Sequence, residues 1–240
     1  MSPKDIKALA FDVFGTVVDW RSGVVRDADA FLSRHGASHI DAGEFADLWR
    51  SRYQPAMEEI RSGRRAYTRL DVLHRENLVW VLEHVGLNPL TIAADAIDEL
   101  NLAWHRLDPW PDALAGLSRL KARFVIATLS NGNTALQVEM ARRVGLPWDA
   151  ILGADLTRSY KPAKECYLGS AEALSLKPAE VLMVAAHESD LRAARSCGFK
   201  TAYVPRPLEY GAGKMPPADT SGFDLIAKDF LELARQLECA

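Results

Sequence analysis

The sequence predicts an α/β fold: a doubly wound parallel sheet interrupted by an inserted all-α module. Three observations carry this. A short, mostly apolar run over residues 6–11 ends in Asp12 near the start of the chain. Beyond Pro111, apolar runs of strand length alternate with helix-length segments, the texture of successive βαβ units. Between these regions, from about 22 to 107, apolar residues recur at helical spacing and no convincing strand is read.

Ile6, Ala8, Leu9, Ala10 and Phe11 read as a buried parallel strand, which needs no polar face. Val24, Ala28, Phe31 and Leu32 fall at i, i+4, i+7 and i+8, and Gly36 stops that helix. Asp41 with Glu44 three residues on forms a capping-box pattern opening a helix through Phe45, Leu48, Trp49 and Arg52. Tyr67, Leu70, Leu73, Leu78, Val81, Leu82 and Val85 mark a third helix, ended by Gly86. Thr91 is expected to open a fourth, with Ile92, Ile97, Leu100 and Trp104 inward and Pro109 and Pro111 closing it. Then follow a strand at 124–129, a helix near 133–144, a short strand at 150–152 and a helix near 163–174. A strand at 181–186, a helix at about 188–197 and a strand at 201–204 complete the alternation. Residues 205–222, rich in Pro and Gly, are expected to form a surface loop. The first strand must join the later ones through right-handed crossovers. The expected domains are therefore a core of 1–20 and 108–240, and a helical cap of 21–107.

The composition excludes several function classes. A chain of 240 residues with 48% hydrophobic and 25% charged residues reads as an ordinary soluble globular protein. A net charge of −3 gives no reason to expect a nucleic acid or a membrane surface as partner. Cys166, Cys197 and Cys239 are scattered without CxxC spacing, so neither a disulfide framework nor a zinc site is expected, and a reducing cytosol is the natural compartment. No signal peptide is read at the N-terminus, and no 18-residue apolar run suggests a membrane span.

Four segments at strand ends carry polar groups. They are Asp12 with Thr16; Ser130-Asn131-Gly132; Lys161 in Ser159-Tyr160-Lys161-Pro162; and His187-Glu188-Ser189-Asp190. Open α/β sheets bind ligands at the carboxyl ends of their strands, so two carboxylates, a cation, a hydroxyl and an amide are expected to converge on one crevice. Each residue also has a plainer reading. Asp12 could cap a turn, Ser130 and Asn131 could be turn formers, and Asp190 could cap the helix after it. Lys161 could be solvated, and Tyr167 could be core.

In order and context these four segments resemble the haloacid dehalogenase superfamily, over nearly the whole chain. The resemblance implies a Rossmann-like core with a cap inserted after the first motif. Phosphatases of that superfamily read Asp-x-Asp in the first motif and place an acid four residues before the last Asp of the fourth. Those acids hold Mg²⁺, a hard cation that demands oxygen ligands. This chain has Phe14 and Ala186 at those two positions. It therefore resembles the metal-independent (S)-2-haloacid dehalogenases, whose first motif carries an aromatic residue where Phe14 stands. Leu48-Trp49-Arg50 is similar to the segment bearing that family's halide- or carboxylate-binding arginine. Tyr167 lies six residues after Lys161, as a site tyrosine does there. Ala185, Ala186 and His187 depart from the Ser and Asn common in the family's fourth motif, and Ser189 replaces an aromatic residue.

The resemblance implies hydrolysis of short 2-haloacids (haloacetate, L-2-halopropionate and, as an open question, fluoroacetate) to 2-hydroxy acids. Asp12 would be the nucleophile forming an ester, and Lys161 would keep it ionised. Thr16 and Ser130 would orient carboxylate oxygens, and Asp190 with His187 would orient or deprotonate water. Phe14, Arg50, Asn131 and Tyr167 would bind substrate or halide. No cofactor or metal is expected. The expected partners are the haloacid and halide, with a homodimer suggested by the family alone. The alternative is a Mg²⁺-dependent phosphatase or phosphonatase using Asp19 or Glu188 as substitute ligands. A catalytically dead scaffold is the third reading.

Overall fold

A computed structural model of the protein describes residues 5–214 and 218–239. In chain order the elements begin with β1 (Ala8–Phe11), β2 (Val18–Asp19), α1 (Trp20–Arg34), α2 (Ala42–Ser51), α3 (Tyr53–Arg61), α4 (Leu70–His84) and α5 (Ala94–Asn101). They continue with β3 (Asp108–Pro109), α6 (Ala113–Lys121), β4 (Val125–Thr128), α7 (Thr134–Val144), α8 (Ala154–Thr157) and α9 (Lys164–Ala173). Last come β5 (Val181–Ala185), α10 (Glu188–Ser196), β6 (Lys200–Tyr203), β7 (Leu225–Ile226) and α11 (Phe230–Gln236). The chain divides into two compact units, Met1–Asp19 with Pro109–Ala240, and Trp20–Asp108.

The first unit is an α/β layer structure on a five-stranded sheet of order β4-β1-β5-β6-β7. All its described pairings are parallel. From β1 the chain reaches β4 on one side and β5 on the other, which makes the edge of β1 a topological switch point. Register matters here: Phe11 stands opposite both Thr128 and Val184, so three strands end level. The ladder runs one step further, Asp12 N donating to Val184 O (3.0 Å) and Leu129 N to Phe11 O (2.7 Å). Its central strands β1 and β5 are buried along their whole length, which is why they read as continuous apolar runs.

Several expectations are corrected by the fold. Residues 150–152 form no strand: Ala150 makes an isolated bridge to Ala127, and Leu152 N donates to Thr128 Oγ1. Residues 205–222 are not simply a surface loop, because Arg206 and Glu209 within them are buried; residues 215–217 lie outside the described part of this stretch.

The second unit is helical. Trp20, Val24, Ala28, Phe31 and Leu32 form the buried stripe of α1. Asp41 accepts from Glu44 N at 2.8 Å, the N-cap half of the expected box. Helix α3 was not anticipated by the pattern. Thr91 opens no helix: it closes a 3₁₀ turn, Pro89–Thr91, whose cap is Asn88, and α5 starts at Ala94. Trp49, Trp104, Tyr53 and His74 pack as an aromatic cluster, with His74 stacked on Trp104 at 4.3 Å. Among the described residues neither ring nitrogen of His74 has a hydrogen-bond partner, and burial pushes its pKa down to about 3. Among the described residues no helix is long and apolar enough to cross a membrane.

Candidate active site

The level strand ends bring one side chain after another to the edge of the first unit's sheet. Asp12 follows β1, and both its oxygens are held. Lys161 Nζ donates to Oδ1 at 2.9 Å, Thr16 Oγ1 donates to Oδ2 at 2.7 Å, and His187 Nδ1 lies 3.0 Å from Oδ2. Thr16 in turn accepts from Ala186 N at 2.9 Å, so its hydroxyl proton is directed at Asp12. The 12–16 turn needs Gly15 for two reasons. Its φ is +83°, and a Cβ there would stand 2.1 Å from a carboxylate oxygen of Glu209.

Lys161 is placed by the segment after β4. Asn131 Oδ1 accepts from Lys161 N at 2.8 Å, while Ser130 Oγ accepts from Gly132 N at 3.1 Å. The ammonium bridges Asp12 and Asp190, reaching Asp190 Oδ2 at 2.5 Å. Tyr167 on α9 donates to Asp190 Oδ1 at 2.6 Å. Asp190 itself sits in the first turn of α10, where the helix N-terminus favours a negative charge.

Burial alone would raise the Asp12 pKa, but the Lys161 charge and then His187 hold its carboxyl far below the usual range. Burial would lower Lys161, yet Asp12 and Asp190 hold it above the ordinary lysine range. Asp190 is raised, by burial and the like charge of Asp12 against the Lys161 attraction. Burial and Asp190 likewise push the Tyr167 phenol up, so it stays a donor. His187 would be lowered by burial, but its bonds to Asp12 and Glu209 hold it at about 10. At neutral pH the site therefore holds an ionised nucleophile-type carboxylate flanked by two cations.

The first unit brings together Asp12, Thr16, Lys161, Tyr167, His187 and Asp190 in one bonded network, with Ser130 and Asn131 in the turn beside it. Phe14 is buried, its ring against Gly132. Arg50 belongs to the other unit. There its guanidinium lies 3.9 Å from the Tyr53 ring centroid and 5.3 Å from that of Trp20, which is itself stacked on Trp104. Sequence reasoning missed Glu209. Its Oε2 lies 2.9 Å from His187 Nε2, and its side chain is 0% exposed. The only signal for it was an acid in a Pro/Gly-rich stretch. Its backbone N–H donates to Arg206 O at 3.0 Å, and Arg206 donates to Thr16 O at 2.9 Å and pairs with Asp112 at 2.6 and 3.0 Å.

Magnesium does not fit this donor set. Position 14 carries a phenyl ring and position 186 a methyl group, neither of which offers a side-chain oxygen, and the Lys161 ammonium stands between the two carboxylates Asp12 and Asp190. Among the described residues no group of three or more His, Cys, Asp or Glu side chains is arranged to hold a metal ion.

Comparison with known proteins shows the family and the fold. Residues 6–198 match the family model for hydrolases of the haloacid dehalogenase-like type. An (S)-2-haloacid dehalogenase 4A of Burkholderia cepacia is 33% identical over 211 residues, covering 85% of this chain and 87% of the relative. The crystal structure of a defluorinating L-2-haloacid dehalogenase superposes with a TM-score of 0.95 at 46% identity, covering 98% of this chain and 96% of the other. That of L-2-haloacid dehalogenase from Xanthobacter autotrophicus, with chloropropionic acid covalently bound, has a TM-score of 0.80 at 26% identity, covering 97% and 98%.

Proposed function

The chain belongs to the haloacid dehalogenase-like hydrolases, and on that premise we infer that it hydrolyses the carbon–halogen bond of short 2-haloacids to give 2-hydroxy acids. One observation carries the reading: Asp12 is kept ionised by an ammonium at 2.9 Å, in a site that also buries the aromatic ring of Phe14. Such a carboxylate is a nucleophile toward carbon. It attacks C2, the halide leaves with the bonding pair, and an aspartyl ester forms. Attack at saturated carbon inverts that centre, so an L-2-haloacid gives a D-2-hydroxy acid. Water then adds to Cγ of Asp12. Asp190, whose carboxylate is made more basic by burial, takes a proton from that water and returns it to the departing hydroxy-acid oxygen. The second water proton passes to solvent, so the balance is haloacid plus water giving hydroxy acid, halide and a proton.

Tyr167 and Lys161 orient Asp190. Ser130 and Asn131 are proposed to meet halide or substrate carboxylate through hydroxyl and amide, and Arg50 is proposed as an anion-binding cation on the strength of its guanidinium chemistry. The defluorinating relative extends the proposal to fluoroacetate. A homodimer and a cytoplasmic location belong to the same proposal, the first read by size-exclusion chromatography with light scattering.

The test is chloride release from chloroacetate and L-2-chloropropionate by pure protein in EDTA, with fluoroacetate followed by a fluoride electrode. Release of halide with formation of D-lactate from the chiral substrate is expected. No halide from any short haloacid, or activity that appears only with added Mg²⁺, overturns the reading.

A further inference from the structure

The two oxygens of Asp12 are not equivalent. Among the described residues Oδ1 has one donor, Lys161, whereas Oδ2 has two, Thr16 Oγ1 and His187 Nδ1. A carboxylate oxygen has two in-plane lone pairs, so Oδ2 is saturated and Oδ1 retains a pair for attack. Alkylation at Oδ1 leaves Oδ2 as the carbonyl oxygen of the ester. That atom gains negative charge when water adds to Cγ.

Resting on the haloacid reading, we propose that His187 and Thr16 form the oxyanion hole for ester hydrolysis, and that Glu209 is the positioning residue that keeps His187 a charged donor through that step. His187 is then an electrophilic catalyst and not a base. Both its ring nitrogens face carboxylates: Nδ1 faces Asp12, and Nε2 lies 3.0 and 2.9 Å from the two oxygens of Glu209. Two such neighbours require a proton on each nitrogen. The first half-reaction neutralises Asp12, so from then on only Glu209 supports the imidazolium.

The other charged groups around the ring do not compete for it. Lys161 and Asp190 bond to each other beyond Asp12; Glu188 on α10 lies 3.8 Å from Arg192; Arg206 is turned to Asp112. The imidazolium pKa of about 10 in the free enzyme agrees with this charge state.

The steps balance as follows. The water oxygen bonds to Cγ and the carbonyl π pair moves onto Oδ2, held by the Thr16 hydroxyl and His187 Nδ1–H. On collapse that pair re-forms the carbonyl and the Cγ–Oδ1 bond breaks. The 2-hydroxy acid leaves with Oδ1, taking the proton held by Asp190, and the water oxygen stays on Asp12. Donors set in advance at a developing oxyanion act in this way.

The experiment compares wild type, Glu209→Gln, Glu209→Asp and the double variant His187→Asn/Glu209→Gln, which leaves no buried charge uncompensated. Each is mixed with chloroacetate, and the first-turnover chloride burst, the steady-state rate and the intact-protein mass are followed. In both variants that carry Glu209→Gln the burst is expected to survive while turnover falls, by about 10²–10³ in the double variant, with the aspartyl ester accumulating. In Glu209→Gln the alkaline limb of kcat should move down from its wild-type position towards the ordinary histidine value, and Glu209→Asp should recover part of the rate. Equal slowing of burst and turnover without trapped ester, or an unmoved alkaline limb, overturns the proposal. If wild type releases no chloride, the haloacid reading falls and takes this proposal with it.

Discussion

Replacing Lys161 by Met removes the cation between two buried carboxylates while keeping most of the side chain's volume. The ammonium lies 2.9 Å from Asp12 Oδ1. Coulomb's law at an effective dielectric constant of about 20 puts that attraction at about 6 kcal/mol. Part of this offsets desolvation; if half reaches the ionisation of the nucleophile, about 3 kcal/mol remains, roughly two pH units in the position of its titration. The sign follows from the causes. In wild type the Asp12 pKa is depressed below 3.8, so the attacking carboxylate, and the stability it contributes, persist above that pH and are lost only as pH falls well below it. Without Lys161, burial and the Asp190 charge both act to raise it. Below the raised pKa, alkylation should therefore slow by up to about a hundredfold, while at neutral pH the carboxylate stays ionised in both proteins. The variant's acid limb should lie about two pH units above that of wild type. Single-turnover chloride release across pH, with the ester counted by mass spectrometry, measures both. A folded Lys161→Met protein whose acid limb coincides with that of wild type would refute the reasoning.

Two further substitutions probe other parts of the molecule. Tyr167→Phe deletes the 2.6 Å donor to Asp190, leaving a buried acceptor at a cost of about 1–3 kcal/mol, so steady-state turnover should fall at least several-fold with ester accumulating. An unchanged kcat would show that Asp190 does not need this bond. His74→Phe keeps the stack on Trp104 but removes a group whose pKa falls from 6.5 to about 3 on folding. The unfolded chain binds the proton first, so wild type loses stability as pH falls from 6.5 towards 3, by up to about 5 kcal/mol, and the variant should lose correspondingly less in urea titrations at two pH values.

The parallel sheet was legible because its central strands β1 and β5 are buried along their whole length, and uninterrupted apolar runs leave few alternatives. Element edges in the helical unit were less so. Thr91 looks like a cap, but Asn88 takes that role with Leu90 N at 3.0 Å and Pro89 starts a 3₁₀ turn. Helix α3 escaped notice because only Tyr53 and Met57 are buried along it, too few to make a periodic signal. The bridge at Ala150 was over-read as a strand, since a three-residue apolar run does not reveal whether a neighbour is in register.

The site divides in the same way. Asp12, Thr16, Ser130, Lys161 and Asp190 stand at strand ends or in the turns and helix starts near them, positions fixed by local chain geometry once the sheet is granted. The six-residue step from Lys161 to Tyr167 is local too. The sequence by itself thus determined which ionisable groups stand at the sheet edge, and that Phe14 and Ala186 withhold oxygen from it. What only tertiary structure decided is the charge on His187. That depends on Glu209, set 22 residues away in a stretch whose composition promised solvent. Arg206 bonds there to the Thr16 carbonyl, 190 residues distant, and to Asp112, and these long-range bonds bury the carboxylate against the ring. A buried acid must find a partner, and which partner is a property of packing that no local pattern records.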